Sequence, residues 1–215
     1  MTFGPEARVA FYYAPAANDP LALAAESWYA ARAPLTDDAR HYGFHATLKP
    51  PMRLRERFGW DDVLHTAQGI AASVPPFALP PLTVADLHGF LALRETEPCP
   101  ELQALADACV AGADHLRAPS DADERARRRR ARLSAAEDAN LVRWDYPYVF
   151  ATWVFHMTLT CRLDTAARAD LQRAATAHFA EALAQERRVA DLCLFVQKAP
   201  GAAFTPAARI ALGPA

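Results

Sequence analysis

The residues in this chain best suited to chemistry are an imidazole and a hydroxyl two positions apart, an arrangement that occurs twice. His45-Ala46-Thr47-Leu48 returns as His156-Met157-Thr158-Leu159, 111 residues later. Alternate residues of an extended chain share a face, so each copy shows its histidine and threonine side by side, roughly 6.5–7 Å apart along one strand face. In the first copy Tyr42, Phe44, Ala46 and Leu48 fall on the other face; in the second, Ala151, Trp153, Phe155, Met157, Leu159 and Cys161 do. Each copy therefore reads as a half-buried strand. Two histidines facing each other across a cleft suit in-line attack on a phosphodiester, where one proton leaves the nucleophile as another reaches the leaving oxygen. An imidazole with an unperturbed pKa near ~6.5 can take either role, and which histidine takes which stays open. Thr47 and Thr158 can donate hydrogen bonds to the non-bridging oxygens, and Lys49, at strand period from His45, can add positive charge.

Other chemistries fit less well. Zinc or di-iron centres need three or more His, Cys or carboxylate ligands, and neither strand carries an acid on its histidine face, so no metal or cofactor is expected. There is no Gly-x-Ser-x-Gly elbow, no P-loop and no Gly-x-Gly-x-x-Gly. His65, His115 and His178 on predicted helices and His88 in a turn read as structural or solvated, whereas His41 borders the first motif. Cys99, Cys109, Cys161 and Cys193 lack metal or redox spacing and fit reduced thiols.

With 52% apolar and 22% charged residues among 215, and a net charge of −2, the chain has an ordinary globular composition without general attraction to polyanions or membranes. No window approaches 18 apolar residues and Met1–Glu6 carries no basic-then-apolar leader, so a cytoplasmic location is expected. Arg117–Arg132 holds seven arginines against three acids. Such a run is either a solvated face or a source of one or two clamps for a substrate anion.

The elements that must position the two motifs follow from period and punctuation. Arg8–Ala14 reads as a central strand, and Asp19-Pro20 opens a helix with Leu21, Ala24, Ala25 and Trp28 inward. Pro50-Pro51 is expected to stop the first histidine strand. A helix over 61–74, strands over 77–84 and 89–94, and a helix over 98–112 follow. Ser120 with Asp123 and Ser134 with Glu137 resemble helix caps. After the second motif come a helix from Asp164 or Thr165 to about Arg187 and strands over 189–198 and 204–212. The second half thus echoes the first from its histidine strand onward, which predicts two lobes about a pseudo-two-fold axis.

The duplicated His-x-Thr-Leu strands resemble those of the two-histidine (2H) phosphoesterase superfamily, which includes RNA 2′,3′-cyclic phosphodiesterases and 2′-5′ RNA ligases. Tyr42–Pro51, Phe90–Leu93, Arg117–Pro119, Arg127–Arg130, Trp144–Val149 and Phe155–Thr160 further resemble a bacterial branch of phosphonate-metabolism proteins, in blocks spanning nearly the whole chain. The resemblance implies an α+β fold with bilobal, pseudo-two-fold duplicated antiparallel sheets, outer helices and a central cleft. It also implies metal-independent catalysis by His45, Thr47, His156 and Thr158, and a link to carbon–phosphorus bond breakdown. The expected division is a first lobe over 1–97, a helical insertion over 98–148 that shapes the pocket, and a second lobe over 149–215. Lys49, Tyr12, Tyr42, Arg128, Tyr146 and Tyr148 are the candidates for substrate contact. The reading is a cyclic phosphodiesterase for a small nucleotide or sugar phosphate. Processing of RNA 2′,3′-cyclic ends or 2′-5′ ligation, and a non-catalytic sensor of a phosphorylated metabolite, are the alternatives; the oligomeric state is open.

Overall fold

A computed structural model describes residue 4 and residues 6–214. Most of the opening segment read for a leader lies outside the described residues. The chain folds into β1 (Arg8–Tyr13), α1 (Pro20–Ala31), α2 (Asp37–Tyr42), β2 (Ala46–Met52), α3 (Trp60–Ala72), β3 (Phe77–Leu79), β4 (Leu82–Leu87) and β5 (Phe90–Glu95). Residues 98–148 supply α4 (Pro100–Gly112), α5 (Ala122–Arg129), α6 (Ala135–Trp144) and a 3₁₀ turn at Asp114–Leu116, and a second 3₁₀ turn follows at Phe150–Thr152. Then follow β6 (Met157–Thr158), α7 (Thr165–Leu183), β7 (Arg187–Val189), β8 (Asp191–Gln197) and β9 (Thr205–Ala211).

Local signals placed most of these elements. The Asp19 carboxylate accepts the Leu21 N–H at 2.7 Å with Pro20 in the first turn of α1, and Asp164 caps α7 by accepting from Ala167. Ser134 and Glu137 cap α6 reciprocally. At α5 the cap is Asp121 rather than Ser120, its carboxylate accepting the Glu124 N–H at 2.7 Å.

Seven antiparallel strands form one sheet in the order β4-β5-β6-β2-β1-β8-β9, and β3 pairs with β7 apart from it. The predicted echo is visible: β2-α3-β3-β4-β5 has the same order as β6-α7-β7-β8-β9. Segments of chain and halves of the sheet do not coincide, however. The β4–β5 hairpin pairs with β6, and β8–β9 extends the sheet beyond β1. β2 is flanked by β1 and β6, so the hairpin that follows it must reach the far edge of β6. Pro80-Pro81, which donate no ladder hydrogen bonds, separate β3 from β4 and free β3 to pair with β7.

Three strand expectations are corrected. Tyr42 closes α2 and Gly43 turns the chain at φ +76, so β2 starts only at Ala46. Its ladder runs through Pro50-Pro51 to Met52 because the register with β1 shifts twice, from Tyr12↔Thr47 to Phe11↔Lys49 and then to Val9↔Met52. The surplus residues at such bulges need not donate to the ladder. The second motif keeps only two residues in a strand: Ala151 is exposed in a 3₁₀ turn, and Thr160 is buried, its hydroxyl accepting the Leu91 N–H at 3.0 Å.

One face of β1 (Val9, Phe11, Tyr13) packs into the main core beneath the helices, while Ala10 and Tyr12 pack on the other face with Phe195 and Phe204. Trp28 ties α1 to this core. It is fully buried, tilted against Phe179 of α7 at 5.8 Å between ring centroids, and its indole N–H donates to Leu159 O at 3.0 Å. Trp28→Ala is expected to cost about 3–5 kcal/mol through the cavity it leaves. Urea unfolding should show a lower midpoint with an unchanged slope.

Candidate active site

The two histidine strands meet along a short seam, β2 against β6, with Ala46↔Met157 as its registered pair. Carrying antiparallel pairing one residue to either side sets His45 opposite Thr158 and Thr47 opposite His156. The four side chains thus stand at the corners of a rectangle, with the histidines on one diagonal, about 7–8 Å apart at Cβ. All four line one cavity of about 440 Å³.

Both imidazoles are oriented in the same way. His45 Nδ1 lies 2.8 Å from Gly43 O, and His156 Nδ1 lies 2.9 Å from Val154 O. A carbonyl only accepts, so each Nδ1 carries the proton and each Nε2 keeps its lone pair. His45 Nε2 lies 3.2 Å from Thr47 Oγ1, whose hydroxyl can donate to it. The left-handed turn at Gly43 aims its carbonyl at the ring, and a Cβ there would sit 3.3 Å from the Phe195 ring. The Tyr12 ring stacks on His45 at 3.6 Å and 17°, while Phe90 meets His156 edge-on at 5.9 Å.

Desolvation dominates the electrostatics. Burial pushes His45 down to about 4, against the pull of its Gly43 hydrogen bond and with some help from His156. His156 is also held below the usual imidazole range, first by burial, with Arg94 a smaller contributor. Burial raises Tyr12 and Tyr146 above the usual phenol range, so both present neutral hydroxyls near neutral pH.

The strand carbonyls are anchored by side chains that a search for reactive residues passes over. Trp153 Nε1 donates to Thr47 O at 2.9 Å, and Tyr29 Oη donates to Thr158 O at 2.6 Å. Each threonine is thereby fixed through its own backbone. Trp28 and Trp153 do read as apolar-face residues in the sequence; nothing local shows that their N–H groups reach carbonyls more than 100 residues away.

The structure brings Tyr12, Tyr42, Arg128 and Tyr146 to the same cavity. Tyr42 stacks on Phe204 at 5.3 Å, and the Arg128 guanidinium lies 5.4 Å from the Tyr146 ring centroid. Tyr148, edge-on to Tyr146 at 5.7 Å, lines an adjoining cavity of about 570 Å³ that shares Thr47, Pro50, Tyr146 and His156. Lys49 departs from its expected place. The bulge pairs it with Phe11 on the core face, where it is 2% exposed and Nζ donates to Val110 O at 3.1 Å, near the C-terminal end of α4. Burial there lowers its pKa to about 8, partly offset by Asp114. His41 lies outside the cavity lining and packs edge-on against Tyr42. Most of the arginine run is engaged by carboxylates: Arg117 and Arg125 by Asp145, Arg129 by Asp138 and Arg128 by Glu124.

The fold is that of two solved structures. Escherichia coli LigT complexed with 3′-AMP superposes with a TM-score of 0.52 at 15% identity, over 95% of this chain and 97% of that one. A structure described as a phosphoesterase gives a TM-score of 0.50 at 16% identity, over 98% and 99%. Two curated relatives, from Janthinobacterium sp. (strain Marseille) and Laribacter hongkongensis (strain HLHK9), are each 38% identical and named ribose 1,5-bisphosphate phosphokinase PhnN. The matches cover 94% and 87% of this chain but only 50% and 43% of theirs, so the chain spans about half the length of the curated relatives it matches. A family model matches residues 47–205, a stretch that contains Thr47, His156 and Thr158. The chain belongs to that family, which is described as "Protein of unknown function (DUF1045)".

Proposed function

We propose that this protein is a metal-independent phosphodiesterase that opens a cyclic phosphate on a small nucleotide or sugar. The observation that carries this reading is the rectangle of alternating histidine and threonine, with both Nδ1 protons held by backbone carbonyls and both Nε2 atoms keeping the lone pair; on substrate binding the Thr47 hydroxyl turns from His45 Nε2 to the phosphoryl group. A phosphoryl group at its centre meets a base and an acid on one diagonal and two hydroxyl donors on the other. The shared fold with a protein solved with a phosphorylated nucleoside supports this reading. The relatives' name supports a phosphorylated ribose, although a kinase activity belongs to the whole of those longer proteins, and this chain has no P-loop sequence. The resemblance to phosphonate-metabolism proteins points to the same chemistry.

His45 is assigned as base and His156 as acid. His45 lines the first cavity under the stacked Tyr12 ring, whereas His156 borders both this cavity and the adjoining one, which can hold the organic part of a substrate. Its more strongly lowered pKa also keeps His45 unprotonated. His45 Nε2 takes a proton from water as the water oxygen bonds to phosphorus. The bond to the leaving sugar oxygen breaks, and His156 Nε2–H delivers a proton to that oxygen. Thr47 and Thr158 hydrogen-bond the non-bridging oxygens, and a phosphomonoester is released. The arginine run, largely paired with carboxylates, does not favour RNA as the substrate.

The sign of each pKa shift fixes the pH profile. The base must be unprotonated, so activity rises through the His45 value; the acid must be protonated, so activity falls through the His156 value. The kcat/KM profile is expected to be a bell with its acid limb near 4 and its basic limb below 6.5. His45→Ala should remove the acid limb and His156→Ala the basic limb, each lowering the rate about 10²–10⁴-fold. Phosphorus NMR with ribose cyclic phosphates would check this, and activity lost to EDTA would overturn the reading. Proton NMR titration of His45 provides an independent measurement: its pKa near 4 should move toward 6.5 in Tyr12→Ala, because the stacked ring excludes water from the imidazole.

A further inference from the structure

The histidine cavity continues into a second cavity of about 310 Å³, and Arg8, Pro50, Pro51, Glu124, Arg127 and Arg128 line both. The connection lies at the Thr47–His156 edge of the rectangle, since Pro50 and Pro51 follow Thr47 along β2. Arg8 stands on the same face of β1 as Tyr12, four residues before it, hence roughly 13 Å along the strand. A five-carbon sugar together with an arginine side chain can bridge that span.

Arg8 is held by neutral partners. Its Nε donates to Gln197 Oε1 at 2.7 Å, and the guanidinium carbon lies 5.4 Å from the Phe204 ring centroid. Gln197 is itself buried and anchored through Nε2 to Ala202 O at 2.7 Å. Among the described residues no carboxylate lies within ion-pair distance of Arg8, and neither terminal nitrogen has a hydrogen-bond partner. A guanidinium held through Nε, on a residue that lines both cavities, keeps its terminal nitrogens for a bidentate anion. Across the cleft, Arg127 on α5 is 4.0 Å from Glu124, whose carboxylate is already held by Arg128 at 2.6 Å. Arg8 and Arg127 are therefore surplus positive charge at a junction that the phosphodiesterase mechanism does not use.

We propose that Arg8 and Arg127 form a second anion subsite, and that the substrate is a cyclic phosphate carrying a terminal phosphomonoester one sugar away from the ring that is opened. This deepens the phosphodiesterase reading and rests on it. The sugar leaves the rectangle at the His156 edge and crosses Pro50-Pro51, and its terminal phosphate meets the two arginines.

The test uses ribose cyclic phosphates in matched pairs that differ only in a 5-phosphate: adenosine 2′,3′-cyclic phosphate and ribose 1,2-cyclic phosphate, each with and without it. The phosphorylated member of at least one pair is expected to have a kcat/KM tenfold or more above its partner. That preference should fall at least tenfold in Arg8→Ala and in Arg127→Ala, and return in part in Arg8→Lys. Equal kcat/KM within both pairs, or a preference that survives both alanine variants, overturns the subsite. Arg127 is exposed on α5 and keeps the test readable if Arg8→Ala does not fold. If no member is turned over, the phosphodiesterase reading fails separately, and calorimetric titration of the same pairs decides the subsite. Tighter binding of a phosphorylated member, lost in the arginine variants, supports it; equal binding or none overturns it.

Discussion

The seam between β2 and β6 is the constraint on which the site depends. The side-chain period of a strand is two, so a slip of one residue in either strand would turn that strand's histidine and threonine into the core and bring its Ala46 or Met157 out. Ala46 and Met157 are both fully buried, which penalises that slip on both strands. A single registered pair is a weak clamp, and the surrounding structure reinforces it. Trp153 holds the Thr47 carbonyl, Tyr29 the Thr158 carbonyl and Trp28 the Leu159 carbonyl, while Leu91 donates to the Thr160 hydroxyl. The backbone of the site is thus tied to α1, to β5 and to Trp153.

Burial of these strands also sets the electrostatics. Aromatic rings against both imidazoles exclude water, which disfavours the protonated form of each. In the unliganded cleft the histidines and the buried tyrosines are neutral, and the charge of the cavity comes from Arg8, Arg127, Arg128, Asp38 and Glu124 around them. A phosphate entering it favours imidazolium on either side, so anion binding and histidine protonation reinforce each other.

Residues 98–148 build one wall of the cleft by a different physical route. Asp145, 3% exposed and left-handed at φ +56, is its hub: Arg117, Arg125 and the Ser120 N–H all converge on its carboxylate. Loss of that carboxylate would leave two cations and a backbone donor facing one another. Helix α5 buries none of its residues and is held by such charge pairs, and Arg128 reaches from it over Tyr146. The wall of the cleft is therefore polar, while its floor is a packed sheet.

Much of what depends on residues within a few positions was legible in the sequence, though not the Asp121 cap of α5 or the short helix α2 that ends at Tyr42. The phase of each His-x-Thr pair, the caps at Asp19, Ser134 and Asp164, and the repeated order of elements all follow from local period and hydrogen-bonding capacity. Contacts between distant segments decided the rest. The β2–β6 register joins residues 111 positions apart. The hairpin beside β6 comes from the other half of the chain because β2 has no free edge. The bulge that turns Lys49 away from His45 exists only in the pairing of β2 with β1. Arg8 and Gln197, 189 residues apart, become partners only because β1 lies against β8. Strand period tells which side chains share a face, but register and bulges are properties of a pair of strands, and they appear only once the partner strand is in place.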